Sequence, residues 1–338
     1  MPADVTERFY TGVRDPEVEA LFARELPRLA DDVRALGNPR LVGVWLGGGY
    51  GRGEGGVFYG KTPRPYNDID FFVFTEGASE EEKEALAKSL EPVAAKYAAV
   101  FGADVDFCRP RNPADYKKDE ERLMIQELKR GHEALVGGDG LLDHVRALEP
   151  GELPRMEALR LFMNRGMGLV FAALRLQRGE LKAQDEIDFF VRNLNKAVLG
   201  AGDARLIASG RYAWRLAERV ARLGDADYAA AADFKLRPTG ELPADPAAAW
   251  RRARGCWRRA ADEIGFAGER TVRQAARWGA AADARSARDV RAGLHGARAP
   301  AGRGASEGRR RGSPAAAGAG ARLAGVQLTR GETSTWKK

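Results

Sequence analysis

The stretch LGGGYGRGEGGVFYGKTPRPYNDIDFFVF, residues 46–74, contains three overlapping glycine patterns, and the fold follows from which of them the chain uses. GGVFYGKT (55–62) has the spacing of a phosphate loop, which must open a helix at its Lys and Thr so that the first helical amides face phosphate. Pro63 and Pro65 follow at once, and each drives the residue before it, Thr62 and Arg64, into extended backbone. GRGEGG (51–56) has the spacing of a dinucleotide-binding turn, with Asp70 near the distance of a ribose-binding acid. That unit needs a crossover helix between glycines and acid, and GGVFYGKTPRPYN does not supply one. What remains is a glycine turn after one short apolar strand, LVGVWL (41–46), and a second strand, IDFFVF (69–74), entered through carboxylates.

In the DID of that second strand, Asp68 and Asp70 point to one side because strand side chains alternate, while Ile69, Phe71 and Val73 point into a core. Two carboxylates so close repel, and burying them near a sheet is costly unless cations sit between them. Mg²⁺ meets the need, because it takes few carboxylates and fills its other positions with water and substrate phosphates. A third strand, ADVDF (103–107), offers Asp106 to complete the cluster if it lies alongside. Asp104 shares a face with Asp106 and competes for that role; the Val105 and Phe107 flanks favour Asp106. The bland alternative for Asp68, with Asn67, is a solvated turn at a strand end.

Outward from this centre, apolar spacing over 16–36 (Val18, Leu21, Phe22, Leu26, Leu29) predicts an amphipathic entry helix. Ser79 and Glu82 form a capping box for a helix that Pro92 is expected to bend or interrupt. From about 115 to 264 apolar residues recur at three and four, predicting a helical domain. Its last helix carries Trp250, Ala253, Trp257, Ala261 and Ile264 on one face. Beyond 264 the sequence is Arg-, Ala- and Gly-rich, with lysine absent between Lys235 and Lys337. A GC-rich gene read out of frame gives such a composition. The tail is therefore expected to be a frameshift product or inert, with a nucleic-acid-binding arm as the competing role. The expected organisation is an α/β (α+β) domain over 1–114, a helical domain over 115–264 and an unstructured basic tail over 265–338.

Bulk composition narrows the chemistry. Net charge is +7, but residues 251–338 hold 20 basic and 7 acidic side chains, leaving the rest of the chain at about −6. An acidic body argues against a long nucleic-acid partner outside the tail. Two isolated cysteines, Cys108 and Cys256, and three histidines supply neither a disulfide framework nor a zinc site. No secretory leader pattern opens the sequence and no apolar run approaches the roughly 18 residues of a membrane span, so a cytoplasmic protein without membrane contact is expected.

Taken together, LGGGYGRGE, NDIDF and VDF resemble the signature of the polymerase-β-like nucleotidyltransferase superfamily: a hydrophobic residue, G-[GS], a spacer, D-h-[DE]-h and a later h-[DE]-h. The resemblance covers residues 40–110, and it implies a small mixed sheet followed by helices. It also implies that Gly48 and Gly49 form a turn whose amides hold a triphosphate, beside Tyr50 and Arg52. Asp68 and Asp70 would hold two Mg²⁺ ions, with Asp106 binding the catalytic ion and helping to deprotonate an acceptor hydroxyl. The implied reaction transfers NMP from an NTP, ATP by default, to a small-molecule or protein hydroxyl, releasing pyrophosphate. The chain departs from the family in having Gly49 where many members have Ser, and in a longer spacer, with GKTPRPY as the insertion.

Residues 150–225 are similar, more loosely, to the helical domain of kanamycin-type nucleotidyltransferases, which points to Lys196 and Tyr212 as triphosphate contacts. A solvated helix face competes for Lys196. For Arg52 and Glu54 the choice lies between the nucleotide site and a salt-bridged loop. Trp45 and Trp214 read as core, and Asp185, Glu186 and Asp188 as favourable charges at a helix start. Outside enzymes, a non-catalytic nucleotide-binding or interaction module of the same fold accounts for the motif, and a nucleic-acid-binding protein for the tail.

Overall fold

A computed structural model of the protein describes residues 8–265, which lie within one compact unit. The basic tail, and with it the frameshift and nucleic-acid expectations, lies outside the described residues. The fold is mixed α+β. Strands β1 (Leu41–Leu46), β4 (Ile69–Thr75), β5 (Val105–Phe107) and β6 (Glu133–Val136) form a sheet in the order β5-β4-β1-β6. β4 runs antiparallel to β1 and parallel to β5, and β1 is antiparallel to β6, so the sheet is mixed. β6 comes from a stretch whose sequence reads as helix; its EALV is too short to show a strand period, and pairing with β1 decides its state.

Alternation along β4 divides the core. Ile69, Phe71 and Val73, with Val44 and Leu46 of β1, are buried against helices α1 (Pro16–Ala35) and α3 (Glu80–Phe101). Phe72, Phe74 and Trp45 face the other way, onto Tyr116, Ile125 and Leu128. Helix α1 starts where Asp15 accepts from the amides of Glu17 and Val18, and it buries Val18, Phe22, Leu26, Leu29 and Val33 along one stripe. The Ser79–Glu82 capping box opens α3 and Gly102 in left-handed backbone closes it; between them the helix runs unbroken through Pro92. Packing of Leu90, Val93 and Tyr97 on the sheet outweighs the one hydrogen bond that proline removes.

The spacer between glycine turn and DID is a hairpin. Strand β2 (Gly56–Tyr59) pairs antiparallel with β3 (Pro63–Tyr66), so Arg64 is extended, as the proline argument requires. Helix α4 (Leu123–Arg130) precedes β6, and beyond that strand the chain is helical. Helices α5 (Arg155–Gln177) and α6 (Gln184–Ala208) pack together; α7 (Leu216–Leu223), α8 (Ala226–Leu236) and α9 (Pro246–Glu263) all pack on α6. On α9 the residues buried are Ala253, Cys256 and Ala260, with Trp250 and Trp257 partly covered. No helix among the described residues is long and apolar enough to cross a membrane.

Candidate functional site

Parallel pairing of β4 with β5 sets Asp70 opposite Asp106 and Ile69 opposite Val105. Asp68 stands two residues before Asp70, and the three carboxylates each offer an oxygen within 4.8 Å of the others. All three are half-buried. At such a separation, each pair of negative charges repels by roughly 3 kcal/mol at an effective dielectric constant near 20. Asp104 is not part of the cluster; its side chain is exposed and its carbonyl accepts from the Ile69 amide at 2.8 Å. Hard oxygen donors in this number suit Mg²⁺ better than a soft or nitrogen-seeking ion.

The glycine turn abuts the cluster. It forms a short helix, α2 (Gly48–Gly51), and the Gly47 amide donates to the Asp70 carbonyl at 2.9 Å. Gly48 has φ +59°, and a β-carbon there would lie 2.4 Å from Asp70 Oδ2. Backbone conformation and close approach both demand glycine. At Gly49 a β-carbon would meet only ordinary contacts, the nearest at 3.5 Å from the Glu54 carbonyl, so serine fits there as it does in the similar signature.

Helix α6 brings basic groups to the same place. Lys196 Nζ donates to Asn67 Oδ1 at 3.0 Å, and Arg192 Nη1 donates to the same oxygen at 3.1 Å. The Asn67 amide nitrogen donates in turn to Asp68 Oδ1. Burial pushes the Lys196 ammonium down to about 8, against the pull of Asp68 and, more weakly, Asp70. Asp188, read from sequence as a helix-start charge, accepts from the Tyr66 hydroxyl at 2.6 Å and lies 3.7 Å from Arg192. Beside this group opens a cleft of about 280 Å³ whose walls include Phe58, Tyr66, Asn67, Asp104 and Arg192.

The hydroxyls of Tyr50 and Tyr212, and one end of the Arg52 guanidinium, are committed elsewhere. Tyr50 is buried; its hydroxyl accepts from the Tyr66 amide at 2.8 Å and donates to the Gly56 carbonyl at 2.8 Å, pinning the hairpin to the glycine turn. Arg52 bonds Glu127 at 3.1 Å, and the Tyr212 hydroxyl donates to the same carboxylate at 3.1 Å. Both belong to an interior ion network with Glu54, Asp203, Arg219 and Lys235. Glu54 Oε1 accepts from the Leu216 amide at 2.7 Å, and its other oxygen lies 3.5 Å from Lys235 and 4.0 Å from Arg219. Burial pushes the Glu54 carboxyl up, but Lys235, Arg219 and Arg52 outweigh it and hold the group below its ordinary value. Lys235 Nζ is buried without a hydrogen bond, and desolvation pushes it down to about 8. Arg219 sits 3.1 Å from Asp203, whose carboxyl burial pushes up nonetheless.

Sequence reasoning missed Asn67 as more than a turn residue, and Glu127, Asp203, Arg219 and Lys235 altogether. For Asn67 a signal existed: it is the non-glycine residue that best tolerates the left-handed backbone, φ +68°, required between β3 and β4. For the others no local pattern marks a charge as interior. No protein-family model and no curated protein matches the chain.

Proposed function

We propose that the protein is a Mg²⁺-dependent nucleotidyltransferase of the polymerase-β-like kind, transferring NMP from an NTP to an acceptor hydroxyl. The observation that carries this reading is the convergence of Asp68, Asp70 and Asp106 within 4.8 Å, directly against a turn that only Gly48 can make. A purely structural strand end has no need of three carboxylates held at mutual repulsion beside a glycine whose missing side chain leaves room at Asp70.

Asp68, Asp70 and Asp106 are the residues that would hold magnesium, and their all-oxygen, half-buried set fits it. Bound there, the metal supplies charge neutralisation for phosphate oxygens and acidifies an acceptor hydroxyl. The chain's own residues do the rest. The glycine turn admits phosphate oxygens close to Asp70, where any β-carbon would intrude. Lys196, drawn toward Asp68 and Asp70 and held by Asn67, offers positive charge beside the carboxylates. Asp106, at the strand edge, takes the acceptor proton as the new oxygen–phosphorus bond forms and pyrophosphate leaves. ATP is the default nucleotide; the half-apolar, half-charged cleft suits a hydroxylated small molecule or an extended protein side chain as acceptor.

Calorimetric titration of ATP, CTP, GTP and UTP with Mg²⁺ into the wild-type protein and an Asp68→Ala, Asp70→Ala variant tests the proposal. Magnesium-dependent binding of a nucleotide, lost in the variant, supports it. Absence of binding by the folded wild type, or equal binding by both proteins, refutes it.

A further inference from the structure

Asn67 occupies a position that the chemistry proposed above does not use, yet its side chain has every polar atom engaged around the carboxylates. Its oxygen accepts from Lys196 at 3.0 Å and Arg192 at 3.1 Å, and its nitrogen donates to Asp68. Lys196 and Arg192 stand four residues apart on α6, hence on one face, and Asn67 reaches them from the turn between β3 and β4. The left-handed backbone at Asn67 is part of the arrangement, since it lies between Tyr66, pinned by Tyr50, and Ile69, pinned by the Asp104 carbonyl. We infer that Asn67 is a positioning residue, whose neutral amide holds the Lys196 and Arg192 side chains at the rim of the carboxylate cluster as a ready seat for a polyphosphate chain.

The inference rests on the function proposed above and adds a role to it. Lysine and arginine lose much rotamer freedom when they seat an anion, and a shared acceptor takes that loss in the free protein instead of on binding. A neutral acceptor does this without discharging either cation. An aspartate in the same place would pair with both and compete with the incoming phosphate. The amide also adds no negative charge beside carboxylates that already crowd one another.

A double-mutant cycle tests it, using the full chain and Mg²⁺ with inorganic tripolyphosphate as the probe. Asn67→Gly keeps the left-handed backbone and removes only the amide, so its thermal unfolding stays near that of the wild type. The expected result is a loss of about tenfold in tripolyphosphate affinity for Asn67→Gly, the worth of a hydrogen bond or two. Lys196→Met weakens binding as well, and the double variant loses less than the sum of the two single losses, because the amide acts in part through the lysine and in part through Arg192. Because the Asn67 nitrogen also touches Asp68, Mn²⁺ binding without polyphosphate falls in Asn67→Gly too, but by less than tripolyphosphate binding does. Additive losses in the double variant, or a fall in Mn²⁺ affinity equal to the fall in tripolyphosphate affinity, overturn the positioning role while leaving the proposed function in place. A wild-type protein that takes up no tripolyphosphate with Mg²⁺ removes both.

Discussion

Gly48 and Gly49 are neighbours in sequence, and the structure asks opposite things of them. Gly48→Ala places a methyl 2.4 Å from Asp70 Oδ2 in backbone of φ +59°. The left-handed conformation alone costs an alanine roughly 1–2 kcal/mol, and the carboxylate must also rotate away from the methyl. For a chain of this size that strain lowers the melting temperature by about 2–8 °C. Displacing one of the three carboxylates proposed to hold a divalent cation forfeits a charge-assisted contact of roughly 1.5–3 kcal/mol, or about 10- to 100-fold in divalent-cation affinity. Gly49→Ser, by contrast, adds a β-carbon at ordinary contact distance, 3.5 Å from its nearest neighbour, and should bind as the wild type does. Thermal unfolding gives the first quantity, and Mn²⁺ titration followed by the resonance of the free ion gives the second. Wild-type Mn²⁺ affinity in Gly48→Ala, or an equal loss in Gly49→Ser, would refute the claim that the turn is shaped around Asp70.

Other perturbations separate the cluster from its surroundings. Asp106→Asn relieves part of the repulsion, so the metal-free variant should melt no lower than the wild type, while the rise in melting temperature given by Mn²⁺ disappears; a lower metal-free melting point would mean that repulsion does not govern the stability of the empty cluster. Glu54→Gln keeps an acceptor for the Leu216 amide but leaves Lys235, Arg219 and Arg52 undercompensated, and should cost about 3–5 kcal/mol in urea unfolding. Lys235 is held near 8 in the folded chain against an ordinary 10.5, so between these values the unfolded chain binds more protons and stability rises with pH, on the order of 1–3 kcal/mol. Above about 10 the trend reverses, because buried Tyr50, Tyr66 and Tyr212 are raised and their unfolded counterparts ionise first. Unfolding of the wild type and Lys235→Met from pH 7 to 11 reads both limbs, and an unaltered rising limb in the variant would exclude Lys235 as its source.

What the sequence displayed was local. The period of two in IDFFVF assigned Ile69, Phe71 and Val73 to one face and the aspartates to the other, and the structure agrees. Proline chemistry excluded a helix after Thr62, where the chain forms a hairpin. Strand β6 was illegible because its four residues gain their state from β1, about ninety positions earlier. The interior network was illegible for the same reason: Glu54, Glu127, Asp203, Arg219 and Lys235 each look like surface charges in their own segments, and only contacts between segments far apart in the chain bring them together. The partner of the Tyr212 hydroxyl, Glu127, was illegible in the same way, since it stands in a distant segment.

That network also explains how helices more than a hundred residues away bear on a turn of four. The Glu54 amide donates to the Gly49 carbonyl at 2.8 Å, closing the loop that begins at Gly48, while the same residue's carboxylate is fastened to the start of α7 and faces Lys235 on α8. From the other side, Asn67 joins α6 to Asp68. The carboxylates and the glycine turn are therefore fixed by the sheet in register and by the helices in depth. A change confined to α8 is predicted to reach the carboxylate cluster: Lys235→Met should shift Mn²⁺ affinity severalfold in the same direction as Glu54→Gln, since both slacken one fastening. Independent effects of the two substitutions, adding fully when combined, would mean that the loop is held by its own backbone and that the helical half serves the site only through α6.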